Sequence, residues 1–209
     1  TPLESAAVAG HAPVVFFLAN RGATTRARTW KAAVRGGSVE ILDWLATRGT
    51  PTFNDRPGLH TAVFFGRLDA AQWLVAHGVP FVDDNIHSSA LAAACCGGSL
   101  DCVRFCVEQG VPVNALSTTG MSPLAYAIRG GFLDVVQFLL GVGADPDLVA
   151  DNARETPLVL AASCGNVAVL ELMLTVADVG DPRQSRGPGL TPLVAAAREG
   201  NTEAVRLLL

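Results

Sequence analysis

The side chains with the strongest claim to chemistry here are four histidines (His11, His60, His77, His87) and five cysteines (Cys95, Cys96, Cys102, Cys106, Cys164). Histidine and cysteine at short spacings hold zinc, and a thiolate beside a base is a nucleophile. Cys102 and Cys106 are spaced to share one face of a helix. They fall, however, on apolar slots of that helix, and Cys95 falls on a small-residue slot, so all three read as packing. Zinc needs a tetrahedral set, usually built from two short-spaced ligand pairs in turns. Cys96 and Cys164 have a different register and read as exposed thiols, but no neighbouring charge argues that either is activated. None of the histidines is paired with a plausible nucleophile. Gly36-Gly37, Gly97-Gly98 and Gly130-Gly131 read as helix-breaking turns and not as phosphate loops, since none follows a strand. Asp83-Asp84 sits in a connector and reads as solvated. The expectation is no catalytic residue, no metal and no cofactor.

The elements that carry these residues repeat. A turn glycine recurs at Gly10, Gly37, Gly66, Gly98, Gly131, Gly165 and Gly200, at intervals rising from 27 to 35 residues. Thr1-Pro2-Leu3, Ser122-Pro123-Leu124, Thr156-Pro157-Leu158 and Thr191-Pro192-Leu193 open four of the units. A hydroxyl before proline is a helix start, because it caps free N–H groups and proline is tolerated at the first helical position. Leu3, Leu59, Leu91, Leu124, Leu158 and Leu193 are the first core residues, with Trp30 in that slot of the second unit. Alanines such as Ala6-Ala7 and Ala161-Ala162 let neighbouring helices approach. The glycine ends the first helix, and a second helix follows with apolar residues at helical spacing, as in Val135, Val136, Phe138, Leu139 and Leu140. Gly22, Gly49, Gly78, Gly110 and Gly143 end that helix, and a connector leads onward. Fixed-period self-similarity predicts stacked small units and not one catalytic cleft.

This pattern resembles the ankyrin repeat family over essentially the whole chain, best in residues 1–23, 122–147 and 191–209. The resemblance implies an all-α solenoid of helix–turn–helix units with short hairpin-like connectors. The units are expected at about 1–27, 28–56, 57–88, 89–121, 122–155, 156–190 and 191–209, the last partial, in one repeat domain. It further implies a concave face of first helices and fingertips that binds protein partners without catalysis. His60, in Leu59-His60-Thr61-Ala62, resembles the family's structural Leu-His element. The connector from terminal glycine to next capping position grows from 6 residues after Gly22 to 13 after Gly143. The early fingers are therefore expected to be stubby. Ala177 stands where a terminal glycine is expected, and residues 178–189 read as a longer loop. The chain opens on one repeat motif and stops inside another, which predicts a fragment of a longer protein.

By this register the concave face presents Arg35, Phe64, Phe65, Cys96, Arg129, Ser163, Cys164 and Arg198. Fingertip positions include Ile86, Ser88, Thr118, Thr119, Met121, Asn152 and Glu155. Aromatics and arginines dominate binding hot spots. The expected partner is therefore a protein or peptide with an apolar anchor near Phe64 and Phe65, and acidic groups near Arg35, Arg129 and Arg198. One phenylalanine of the pair could instead tuck into the core.

Composition narrows the classes. Half the residues are apolar, 16% are charged and the net charge is −4, which supplies a core and argues against disorder. No basic stripe suggests nucleic acid. The apolar run Val8–Leu18 is broken by Gly10, His11 and Pro13, so no membrane helix is expected. An odd cysteine count without framework spacing points to a reducing, intracellular compartment, cytoplasmic or nuclear, or a host cell for a secreted effector. A monomer is expected. Lys31 is the only lysine against fourteen arginines. That scarcity suggests, as an alternative, substrate recognition in a ubiquitin ligase assembly. A regulatory domain of an enzyme whose catalytic part lies elsewhere is a further alternative.

Overall fold

The computed structural model describes residues 1–49, 57–79, 90–117, 119–148, 155–176 and 190–209. Among the described residues there are fourteen α-helices and no strand, arranged as consecutive pairs. The first helices are α1 (Pro2–Val8), α3 (Ala27–Gly36), α5 (Pro57–Phe64), α7 (Ala90–Gly97), α9 (Pro123–Gly130), α11 (Pro157–Cys164) and α13 (Pro192–Arg198). Their second-helix partners are α2 (Ala12–Asn20), α4 (Val39–Thr47), α6 (Leu68–Ala76), α8 (Leu100–Glu108), α10 (Leu133–Gly141), α12 (Val167–Val176) and α14 (Thr202–Leu208).

The Thr/Ser-Pro openings act as expected. The hydroxyls of Thr1, Ser122, Thr156 and Thr191 accept from the backbone N–H of Glu4, Ala125, Val159 and Val194 at 3.1–3.3 Å. Each such cap contributes about 1 kcal/mol. All seven turn glycines have φ between +66° and +80°, a region L side chains enter only with strain.

Two expectations need correction. First, Gly36, Gly97 and Gly130 are not turn residues; each is the last residue of its helix, and only the glycine after it turns the chain. Gly36 and Gly97 serve close approach. A Cβ on Gly36 would collide with the carbonyls of Ala7 and Val8, and one on Gly97 with the carbonyl of Phe64. Second, α3 starts earlier than the repeat register predicts. Its N-cap is Arg26, whose N–H donates to the Thr29 hydroxyl at 3.2 Å. With no proline to fix the start, this bond adds residues to the helix and shortens an already short connector.

The core is a ladder running through every unit. An alanine stands four residues before each turn glycine (Ala6, Ala33, Ala62, Ala94, Ala127, Ala161, Ala196), and each is buried. The second helices contribute pairs such as Ile41 and Leu42, Val135 and Val136, and Val169 and Leu170, all without exposed surface. Cys95, Cys102 and Cys106 occupy equivalent slots and are buried. Leu193 is only half-buried, unlike its equivalents Leu3, Leu59, Leu91, Leu124 and Leu158. The first helices of adjacent units pack on one another extensively, while the second helices touch sparingly. The first helices thus line up as one closely packed wall of the stack, the side that the resemblance makes concave, and it is called the inner wall below. Among the described residues no helix is long and apolar enough to cross a membrane.

Candidate functional site

The inner wall is built from the ends of the first helices. Its centre is Phe64 and Phe65, the last residue of α5 and the one after it. Neither is core: they are 41% and 38% exposed, and their rings meet edge to face at 5.1 Å. The Arg35 guanidinium from the preceding unit lies over the Phe65 ring at 4.6 Å. Gly36 on one side and Gly97 on the other carry no side chain, so the ring pair stands proud of bare backbone. Val8, also exposed, extends the apolar surface into the first unit.

Arg67 completes this part of the wall and was missed in the sequence reading. Its stem lies on Gly37, and its Nε donates to the Arg35 carbonyl at 3.0 Å. The signal that could have found it is its position directly after the turn glycine. The residue there also hydrogen-bonds back to the previous unit in two other cases. Asn166 Nδ2 donates to the Gly131 carbonyl at 3.0 Å, and Asn201 Nδ2 to the carbonyls of Ala162 and Ser163 at 3.1 and 2.7 Å.

Further along, Cys96 and Cys164 are exposed, as expected. Burial pushes the Cys164 thiol above its ordinary value. Arg129 pulls it back in part, and Glu155 and Glu199 raise it further. All three charges therefore act on the Cys164 thiol. Arg198 lies 3.9 Å from Glu199, and Arg129 donates to the Met121 sulfur at 3.6 Å. Ser163 is half-buried, and its hydroxyl is spent on the carbonyls of Val159 and Leu160 in its own helix. It offers the wall no spare donor.

Of the fingertip positions, Thr119 is exposed and Met121 and Glu155 are half-buried. Ser117, Thr119 and Tyr126 join their hydroxyls at 2.8–3.2 Å, and Ser117 Oγ also accepts from the Met121 N–H. This knot ties the connector to α9; Ser117 and Tyr126 were not among the predicted residues. Ile86, Ser88, Thr118 and Asn152 lie outside the described residues, as do Ala177, His87 and Asp83-Asp84.

Buried thiols resist ionisation: desolvation pushes Cys106 up to about 12, and Cys95 and Cys102 also upward. Among the described residues no group of three or more metal-ligating side chains is gathered. His77 stacks on Trp73 at 3.7 Å, with Nδ1 2.8 Å from the Trp73 carbonyl.

The outer wall was also missed. An aromatic ring stands seven residues after the turn glycine in the first five units: Phe17, Trp44, Trp73, Phe105 and Phe138. Arg21, Arg48 and Arg104 lie over Phe17, Trp44 and Phe138 at 5.0, 4.3 and 4.6 Å. Three of these outer rings thus carry a cation of this chain.

Comparison with known proteins agrees with this geometry. The family described as ankyrin repeats (three copies) matches residues 59–150 and again 142–209. Human ankyrin repeat domain-containing protein 63 is 38% identical over 108 residues, covering 51% of this chain and 28% of that protein. Human ankyrin repeat and SOCS box protein 16 is 32% identical over 164 residues, covering 76% of this chain and 36% of that protein. Mouse protein phosphatase 1 regulatory subunit 27 is 38% identical over 72 residues, covering 33% of this chain and 47% of that protein. The chain thus spans less than half the length of each of these relatives. Matched over most of its residues, and folded as helix pairs around glycine turns, the chain belongs to the ankyrin repeat family.

Proposed function

We propose that this chain is a protein-interaction module that holds a segment of a partner protein on its inner wall. Ankyrin repeats are generally protein–protein interaction modules. The observation that carries the assignment to this wall is the Phe64–Phe65 pair, exposed, edge to face and covered on one side by Arg35. Exposed adjacent aromatics beside arginine are the composition of binding hot spots. The partner's apolar side chain packs against the pair.

Affinity capture from a native lysate tests this. The wild-type chain and a Phe64→Ala/Phe65→Ala/Arg129→Ala variant are compared, with captured proteins identified by mass spectrometry. The wild type is expected to enrich a defined protein that the variant loses, while thermal melts show the variant still folded. Equal capture by both sinks the reading.

The lysine scarcity favours one second reading, in which the module presents a substrate for ubiquitin transfer while offering almost no acceptor amine itself. The relative named as a SOCS box protein is consistent with it. Reconstituted transfer onto the captured partner, with no transfer onto Lys31, is the outcome this reading requires.

A further inference from the structure

The four arginines of the inner wall are not equivalent. Arg198 has Glu199 beside it, and Arg129 shares its influence on the Cys164 thiol with Glu155 and Glu199. That stretch is close to neutral. At the other end, Lys31 and Arg35 are one helical turn apart on α3 and exposed, so they share a face. Arg67 joins them through its bond to the Arg35 carbonyl. Among the described residues, no carboxylate lies within ion-pair distance of Lys31, Arg35 or Arg67. Arg28, a turn further back, already has Glu4 as an electrostatic neighbour.

The donors at this end are aimed for use. A guanidinium stacked on a ring keeps its in-plane N–H groups for an anion. Arg67 spends Nε on the backbone, which leaves its two terminal nitrogens. The cationic surplus adjoins the apolar pair from the second-unit side, with Arg35 over the Phe65 ring and Arg67 bonded to the Arg35 carbonyl.

We infer that the second to fourth units hold an acidic peptide segment of the partner, its carboxylates on Lys31, Arg35 and Arg67 and its apolar side chain on Phe64 and Phe65. This rests on the inner-wall reading above and adds the partner's chemistry and place. A nucleic-acid backbone fits less well: three clustered cations neutralise few phosphates, and the chain is net negative.

The test uses short fluorescent peptides, one alternating Glu and Leu and a twin alternating Gln and Leu, read by anisotropy on the whole chain. The Glu peptide is expected to bind saturably, at least about tenfold tighter than the Gln twin, and to weaken as salt screens the pairs. Arg35→Glu/Arg67→Glu is expected to erase that difference, whereas Arg198→Glu changes affinity by no more than about twofold. Arg35→Ala serves as a milder variant, since it removes the guanidinium without setting a negative charge beside Arg67. Salt dependence of the unaltered chain requires no variant at all. The inference falls if the Glu peptide fails to bind, if the twins bind alike, or if Arg198→Glu costs as much as Arg35→Ala. Equal affinity for a single-stranded oligothymidylate, lost in the same variants, also overturns it. In the lysate assay, a partner kept by Arg35→Glu/Arg67→Glu but lost by the Phe64/Phe65/Arg129 variant would defeat only the acidic assignment. A partner kept by both would defeat the wall itself.

Discussion

Neighbouring units of this stack are joined in two different ways. Between units one and two, and between three and four, backbone meets backbone: Gly36 lies on the Ala7 and Val8 carbonyls, and Gly97 on that of Phe64. From the fifth unit to the seventh, an amide side chain reaches back instead, Asn166 to the Gly131 carbonyl and Asn201 to those of Ala162 and Ser163. The first device removes side chains from the wall and leaves a ring pair standing alone. The second satisfies carbonyls that the turn leaves open. The contrast teaches that one repeat pattern closes its joints by steric absence or by hydrogen bonding. The choice decides what the inner surface has room for.

Gly97→Val strikes hardest at this contrast. Its side chain meets the Phe64 carbonyl, which is backbone and cannot swing aside. Urea unfolding is expected to show a loss of about 1–3 kcal/mol, with the ring pair displaced and peptide binding weakened. Asn201→Ala attacks the second device and leaves two carbonyls without their donor. A loss of about 1–2 kcal/mol is expected, with faster amide hydrogen exchange confined to the last units. Ser122→Ala, between the two regions, removes only a helix cap and is expected to cost about 1 kcal/mol in the same urea measurement. A chemical comparison is gentler still. Cys96 and Cys164 are expected to react with a disulfide reagent in the native chain, while Cys95, Cys102 and Cys106 wait for unfolding. Because the Cys164 value is raised, less of it is thiolate at pH 8 than for an ordinary thiol. Its reaction is therefore expected to lag and to quicken as pH rises.

Much of the fold was legible because periodic glycines and alanines have a single structural use in such a stack. Turn glycines need positive φ, and the alanine slot admits nothing larger where first helices meet. The cysteine readings followed from the same register. What escaped the sequence were contacts between units. Arg67, Asn166 and Asn201 share one position, yet only geometry shows them reaching back across about thirty residues or more of chain. The paired glycines misled, since the first of each pair has helical backbone, and at Gly36 and Gly97 it makes room for a neighbouring unit. Phe64 and Phe65 are both exposed, an outcome the repeat register left open because it allowed one of them to tuck into the core. The inequality among Arg35, Arg129 and Arg198 was hidden too, because it is set by Glu199 and Glu155.

Lys31 has a practical consequence for anyone handling this protein. It is the only side-chain amine, and it lies on the same helical face as Arg35. Coupling through activated esters, whether to a sensor chip, a biotin or a dye, is directed to that spot or to the amino terminus. A molecule tethered at Lys31 would be anchored by the face proposed above to hold the acidic segment, and silence in such an assay would report its orientation. Attachment through the carboxyl terminus keeps that surface open.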